Sequence, residues 1–91
     1  MTQIEELKSA LKALIVKECD KDVDPATITN EEQLIGGALG LDSLDALQIC
    51  MAVQERYGVR IEDGPKARRA LRNIDALAEV IMTESEAFAQ S

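Results

Sequence analysis

The sequence predicts an all-α fold: a four-helix bundle forming a single domain over residues 1–91, with three longer helices, a short third helix and a long first loop. Two observations carry this reading. Apolar residues recur at helical spacing in three separate stretches, and the segments between them are rich in Gly, Pro, Asp and Asn. Strand signals are weak throughout, so helices must pack on helices.

The first stretch holds Ile4, Leu7, Leu11, Leu14 and Ile15, and predicts a helix from about Gln3 to Cys19. Thr2 and Glu5 have the spacing of a capping box at its start. Asp20 to Leu41 is then long for a small domain, and is broken by Pro25, Gly36, Gly37 and Gly40. Because Ile28, Leu34, Ile35, Leu39 and Leu41 punctuate it, the segment reads as a loop pinned to the core, with a short helical turn at Asn30 to Ile35.

The second helix is expected from Ser43 to Tyr57, with Asp42 as N-cap, Asp45 in the first turn and Gly58 beyond its end. Ala46, Ile49, Cys50 and Val53 can face inward. Leu44, Leu47 and Met51 form a second apolar stripe at i, i+3 and i+7, more than one core needs. Val59 to Ile61 reads as extended or loop. Asp63-Gly64-Pro65 can open a short helix through Leu71, since proline suits the first helical position. Asn73 caps a last helix carrying Ile74, Leu77, Ala78, Val80 and Ile81, and residues 83–91 read as a fraying tail.

Composition narrows the function. A chain of 91 residues allows one modest core and no enzyme-sized buried cleft. Its net charge of -7 disfavours nucleic acid and anionic membranes as partners, because both are polyanionic. No apolar run approaches the roughly 20 residues of a membrane span, and Glu5 and Glu6 do not fit a signal peptide, so a cytoplasmic monomer without membrane insertion is expected. The chain has no histidine, which removes the usual general base and metal ligand. Two cysteines, Cys19 and Cys50, cannot complete a zinc site alone and read as reduced thiols near the core. Asp20, Asp22, Asp24 and Glu31 match the first, third, fifth and twelfth places of an EF-hand loop, but the sixth is Pro25, which cannot make the positive-φ turn needed there. No metal site is expected.

The segment Gly40-Leu41-Asp42-Ser43-Leu44-Asp45 places a serine between two carboxylates where a glycine-rich loop becomes a helix. Alone, this is an ordinary helix start. Together with the length, the acidity, the anchored loop and the run GLDSLDALQICMAVQERYG, it resembles the acyl carrier protein family over nearly the whole chain, with Gly40, Asp42, Ser43 and Leu44 filling that family's Gly-x-Asp-Ser-Leu element. The resemblance implies a non-catalytic carrier. Ser43 would take 4'-phosphopantetheine from coenzyme A, with Asp42 and Leu44 beside it, and acyl groups would ride on the arm as thioesters. It further implies partner recognition by Leu44, Asp45, Leu47, Gln48, Met51 and Glu55, and an acyl cavity for which Leu47, Ile49, Val53, Leu71 and Leu77 are the expected lining. The implied partners are a phosphopantetheinyl transferase and the synthases, acyltransferases, reductases or ligases of a fatty acid, polyketide or related specialised lipid pathway.

The chain departs from the fatty acid carriers it resembles. Gln48 and Gln54 stand where acidic residues are usual in that group, and Lys66, Arg68, Arg69 and Arg72 occupy a commonly acidic region. Residues 1–63 hold 13 acidic and 6 basic side chains, a balance of -7, whereas 64–91 hold 4 of each. A specialised pathway fits this split better than housekeeping fatty acid synthesis. Two other readings use the same residues. A peptidyl or aminoacyl carrier would share the serine chemistry, although a Gly-Gly-x-Ser approach is more usual there. An unmodified helical interaction domain would dock through Leu44, Leu47 and Met51. A hydrolase is a poor fit, since no histidine can activate Ser43.

Overall fold

In the computed structural model, which describes residues 3–62 and 64–85, helix α1 spans Gln3–Glu18, α2 Ser43–Tyr57, α3 Pro65–Ala70 and α4 Ile74–Glu84. These are the four helices the periodicity predicts, with ends within a residue or two of those expected. Among the described residues there is no strand, and the only β-type pairing is an isolated bridge between Ile35 and Leu41. The expected capping residue Thr2 lies outside the described residues, as do Asp63 and residues 86–91.

The apolar stripe of α1, Leu7, Leu11, Leu14 and Ile15, is buried against both α2 and α4. Ile49 and Val53 of α2 and Ile74, Leu77, Ala78 and Ile81 of α4 complete that interface. α3 contributes less, burying only Ala67 and Ala70, with Leu71 tucked in just after it. Thr83 and Glu84, assigned to a fraying tail by the sequence, instead close α4. Ser85 behind them is buried, its Oγ donating to the Tyr57 carbonyl at 3.2 Å. A hydroxyl held by a partner loses little by burial, which is why the chain stays docked there.

The long loop is pinned as its apolar residues suggest: Ile28, Leu34 and Leu41 are buried, and Ile35 and Leu39 pack against the core. The expected helical turn at Asn30 to Ile35 does not form. Its backbone groups are engaged elsewhere, with Thr29 N–H donating to Glu32 Oε1 at 2.7 Å, Glu32 N–H to Thr29 Oγ1 at 3.1 Å and Leu34 N–H to the Arg72 carbonyl at 3.2 Å. The loop's helical piece is instead a 3-10 turn at Pro25–Thr27, capped by Asp24 Oδ1 on Ala26 N–H at 2.9 Å. The loop is also stitched to α4, where Asp75 N–H donates to the Asn30 carbonyl at 3.1 Å and Asp75 Oδ1 meets Lys8 Nζ of α1 at 2.7 Å.

Candidate functional site

Ser43 is the first residue of α2, and its surroundings fix where its hydroxyl stands. Gly40, at φ 70°, makes a left-handed turn that most residues resist, and its N–H donates to the Gly37 carbonyl at 3.0 Å. Leu41 is then driven into the core, and its carbonyl accepts from Gly36 N–H at 2.9 Å. Asp42 Oδ1 accepts from Leu44 N–H at 3.0 Å and Asp45 N–H at 3.1 Å, while Asp45 Oδ2 accepts from Asp42 N–H at 3.0 Å. This reciprocal capping box satisfies donors that the helix start would leave open. At the far end Gly58, at φ 71°, closes α2 with its N–H on the Gln54 carbonyl.

The result is an exposed Ser43 whose side chain makes no hydrogen bond among the described residues. A buried or bonded hydroxyl would be spent on the fold; this one is available for chemistry. The N–H bonds from Asp45 and then Leu44 hold the Asp42 carboxyl below its usual range. Behind the turn, burial and then the Asp45 carboxylate push the Cys19 thiol up to about 11, and its Sγ sits 3.9 Å from the Asp45 carbonyl oxygen. Cys19 and Cys50 are half-buried and form no disulfide.

Ser43 opens onto a groove of about 1060 Å³ between α2, α3 and the long loop. Ala46, Leu47 and Cys50 line it from α2, and Ala67, Arg68, Leu71, Arg72 and Asn73 from α3 and the turn after it. Ile61, Gly64 and the loop residues Glu31, Gln33 and Ile35 also line it. Of the five residues expected around a cavity, Leu47 and Leu71 are on this groove. Ile49, Val53 and Leu77 are not, because each is completely buried in the interface with α1 and α4. The groove lies one position round the helix, on the Ala46, Leu47 and Cys50 side. The spacing of Ala67 and Leu71, one helical turn apart, is the sequence signal that could have marked the α3 wall; nothing local marks the loop residues.

The expected partner face is exposed. Leu44, Leu47 and Met51 are 72%, 57% and 59% accessible, three large apolar side chains on one side of a helix whose other side is buried. Gln48 and Glu55 are exposed beside them and Asp45 is half-buried. On α3, Lys66 Nζ meets Glu84 Oε1 at 2.9 Å, whereas Arg68 and Arg69 of α3 and Arg72 just after it are exposed and make no ion pair among the described residues. No described helix is long and apolar enough to cross a membrane.

Comparison with known proteins gives a consistent result. Residues 9–81 match the family described as the phosphopantetheine attachment site. The chain is 33% identical over 75 residues to "Acyl carrier protein, mitochondrial" of Neurospora crassa, covering 82% of this chain and 54% of that protein. It is 33% identical over 73 residues to "Acyl carrier protein 2, mitochondrial" of Arabidopsis thaliana, covering 80% and 55%. With "Acyl carrier protein" of Helicobacter pylori strain G27 it shares 38% over 53 residues, 58% of this chain and 64% of the relative. The chain spans about half the length of the mitochondrial relatives it matches.

Proposed function

Because the chain belongs to the phosphopantetheine-attachment family, we propose that it carries acyl intermediates as thioesters on a 4'-phosphopantetheine arm joined to Ser43. The observation that carries the reading is an exposed, unbonded Ser43 hydroxyl, held between capping carboxylates at the mouth of an apolar-walled groove. In loading, Ser43 Oγ forms a bond to the β-phosphorus of coenzyme A as the pyrophosphate linkage breaks; 3',5'-adenosine bisphosphate leaves and the serine proton passes to the transferase. The arm, when bound, supplies a thiol. Asp42 and Asp45 hold the helix start in place, and the positive end of the α2 dipole would favour the phosphodiester. The groove shelters cargo, and the chain itself catalyses nothing.

Leu44, Leu47 and Met51 serve as the docking stripe for a phosphopantetheinyl transferase and for the enzymes that extend, reduce or transfer the acyl group, with Asp45, Gln48 and Glu55 at its edges. The exposed arginines of α3 favour a specialised lipid or polyketide pathway over housekeeping fatty acid synthesis, since they would oppose a docking site that is basic throughout. The proposed location is the cytoplasm. Two of the relatives above carry "mitochondrial" in their names, which makes the mitochondrion the competing location, and cell fractionation distinguishes the two. Incubation with coenzyme A and a broad-specificity transferase should add one group of about 340 Da, and Ser43→Ala should abolish the addition while keeping the helical spectrum. An alanine variant that is still labelled would refute the assignment.

A further inference from the structure

Arg68 and Arg72 stand on the wall of the Ser43 groove beside apolar Ile35, Leu47 and Leu71. Neither side chain bonds to a carboxylate or carbonyl among the described residues, although the nearby Lys66 of α3 is paired with Glu84. Among the described residues one carboxylate, Glu31, also lines the groove, so the described part of its walls carries a net positive charge. Two guanidinium groups facing a mostly apolar space are an unusual use of charge. An alkyl cargo lying against them would displace their water and return no hydrogen bond. A cargo ending in a carboxylate would instead meet planar donor forks that match its two oxygens.

We infer that the groove selects acyl groups bearing a carboxylate at the end remote from the thioester, held by Arg68 and Arg72. This rests on the reading of Ser43 as the attachment point. The volume of about 1060 Å³ stands at the top of the roughly 300–1,000 Å³ usual for small-molecule sites, enough for the end of the arm with a short cargo. Selectivity arises as a difference: the neutral chain is disfavoured by desolvating two cations, and the charged chain is favoured by pairing with them. The arm's own phosphodiester is the other anion within reach, and the test must separate it from the cargo.

The full chain is loaded from amide-linked coenzyme A analogues carrying a six-carbon acyl chain that ends either in a carboxylate or in a carboxamide, alongside the holo form with its bare thiol. The carboxylate form should melt about 4 °C or more above the carboxamide form, and the excess should shrink in about 0.5 M NaCl. In the double variant R68Q/R72Q that excess should vanish, while the holo and carboxamide forms melt as their wild-type counterparts do. Equal melting of the two cargoes in the wild type would overturn the inference without touching the attachment reading. So would a double variant that shifts all three forms alike, which would assign the arginines to the phosphodiester. Absence of any added mass on Ser43 would overturn both.

Discussion

The two helices that flank the groove are built in opposite ways. α2 has 15 residues, begins in a reciprocal capping box and buries Ile49 and Val53 completely. α3 has six residues, begins at Gly64 without a side-chain cap and buries two alanines. The apolar area that α3 removes from water is small, so it is held mainly by its neighbours, whereas α2 is a structural member in its own right. The serine therefore sits on the rigid wall. The opposite wall carries the cationic side chains, Arg68 on α3 and Arg72 just after it.

The largest effects should separate the two faces of α2. Ile49→Ala should destabilise the domain by about 2–5 kcal/mol, and Leu47→Ala, on the exposed stripe, by no more than about 0.5 kcal/mol; urea unfolding of the two variants measures the gap. Equal losses would mean that the stripe is core. Next comes the cap. Asp42→Ala should lower Tm by about 4–8 °C at neutral pH. Because the N–H bonds lower the pKa of Asp42 in the folded state, its contribution is complete above the ordinary carboxylate range and disappears as pH falls through that lowered value. The melting curves of variant and wild type should thus converge in acid.

Behind the cap, the Cys19 thiol at about 11 should alkylate more than tenfold slower at pH 8.5 than a thiol of ordinary pKa. Its raised pKa also has a stability consequence: the protonated thiol supports the fold fully below pH 9, and that support is lost as pH rises towards about 11. Peptide mapping after a timed iodoacetamide pulse reads the rate. The smallest effect belongs to α3, where Lys66→Ala removes an exposed pair with Glu84 and should cost about 0–1 kcal/mol, less in high salt. A loss comparable to that of Ile49→Ala would remove the contrast between the two walls.

What could be read in the sequence follows the same division. The bounds of α2 were legible because Asp42, Asp45 and Gly58 are local signals and act within a few residues of the helix ends. The cap of α4 at Asn73, with Oδ1 accepting from Ala76 N–H at 2.8 Å, was legible for the same reason. The loop was not. Its backbone bonds run from Leu34 to Arg72 and from Asp75 to Asn30, across about forty residues of sequence, and they override the helical turn that composition suggests at Asn30 to Ile35. The groove was half legible. Leu47 and Leu71 line the groove, but whether Ile49 or Cys50 faces it depends on how α2 is rotated against α1, and helical periodicity does not set that angle.

Ser43, and no other hydroxyl, is the proposed attachment point. Trypsin should release residues 22–56 as one peptide, since no Lys or Arg lies between Lys21 and Arg56, and Ser43 is its only serine. After incubation with coenzyme A and a transferase, fragmentation of that peptide should place the phosphopantetheine, about 340 Da, on Ser43 alone. The same mass on Thr27 or Thr29 of that peptide, or on a different peptide with residues 22–56 recovered unmodified, would refute the assignment.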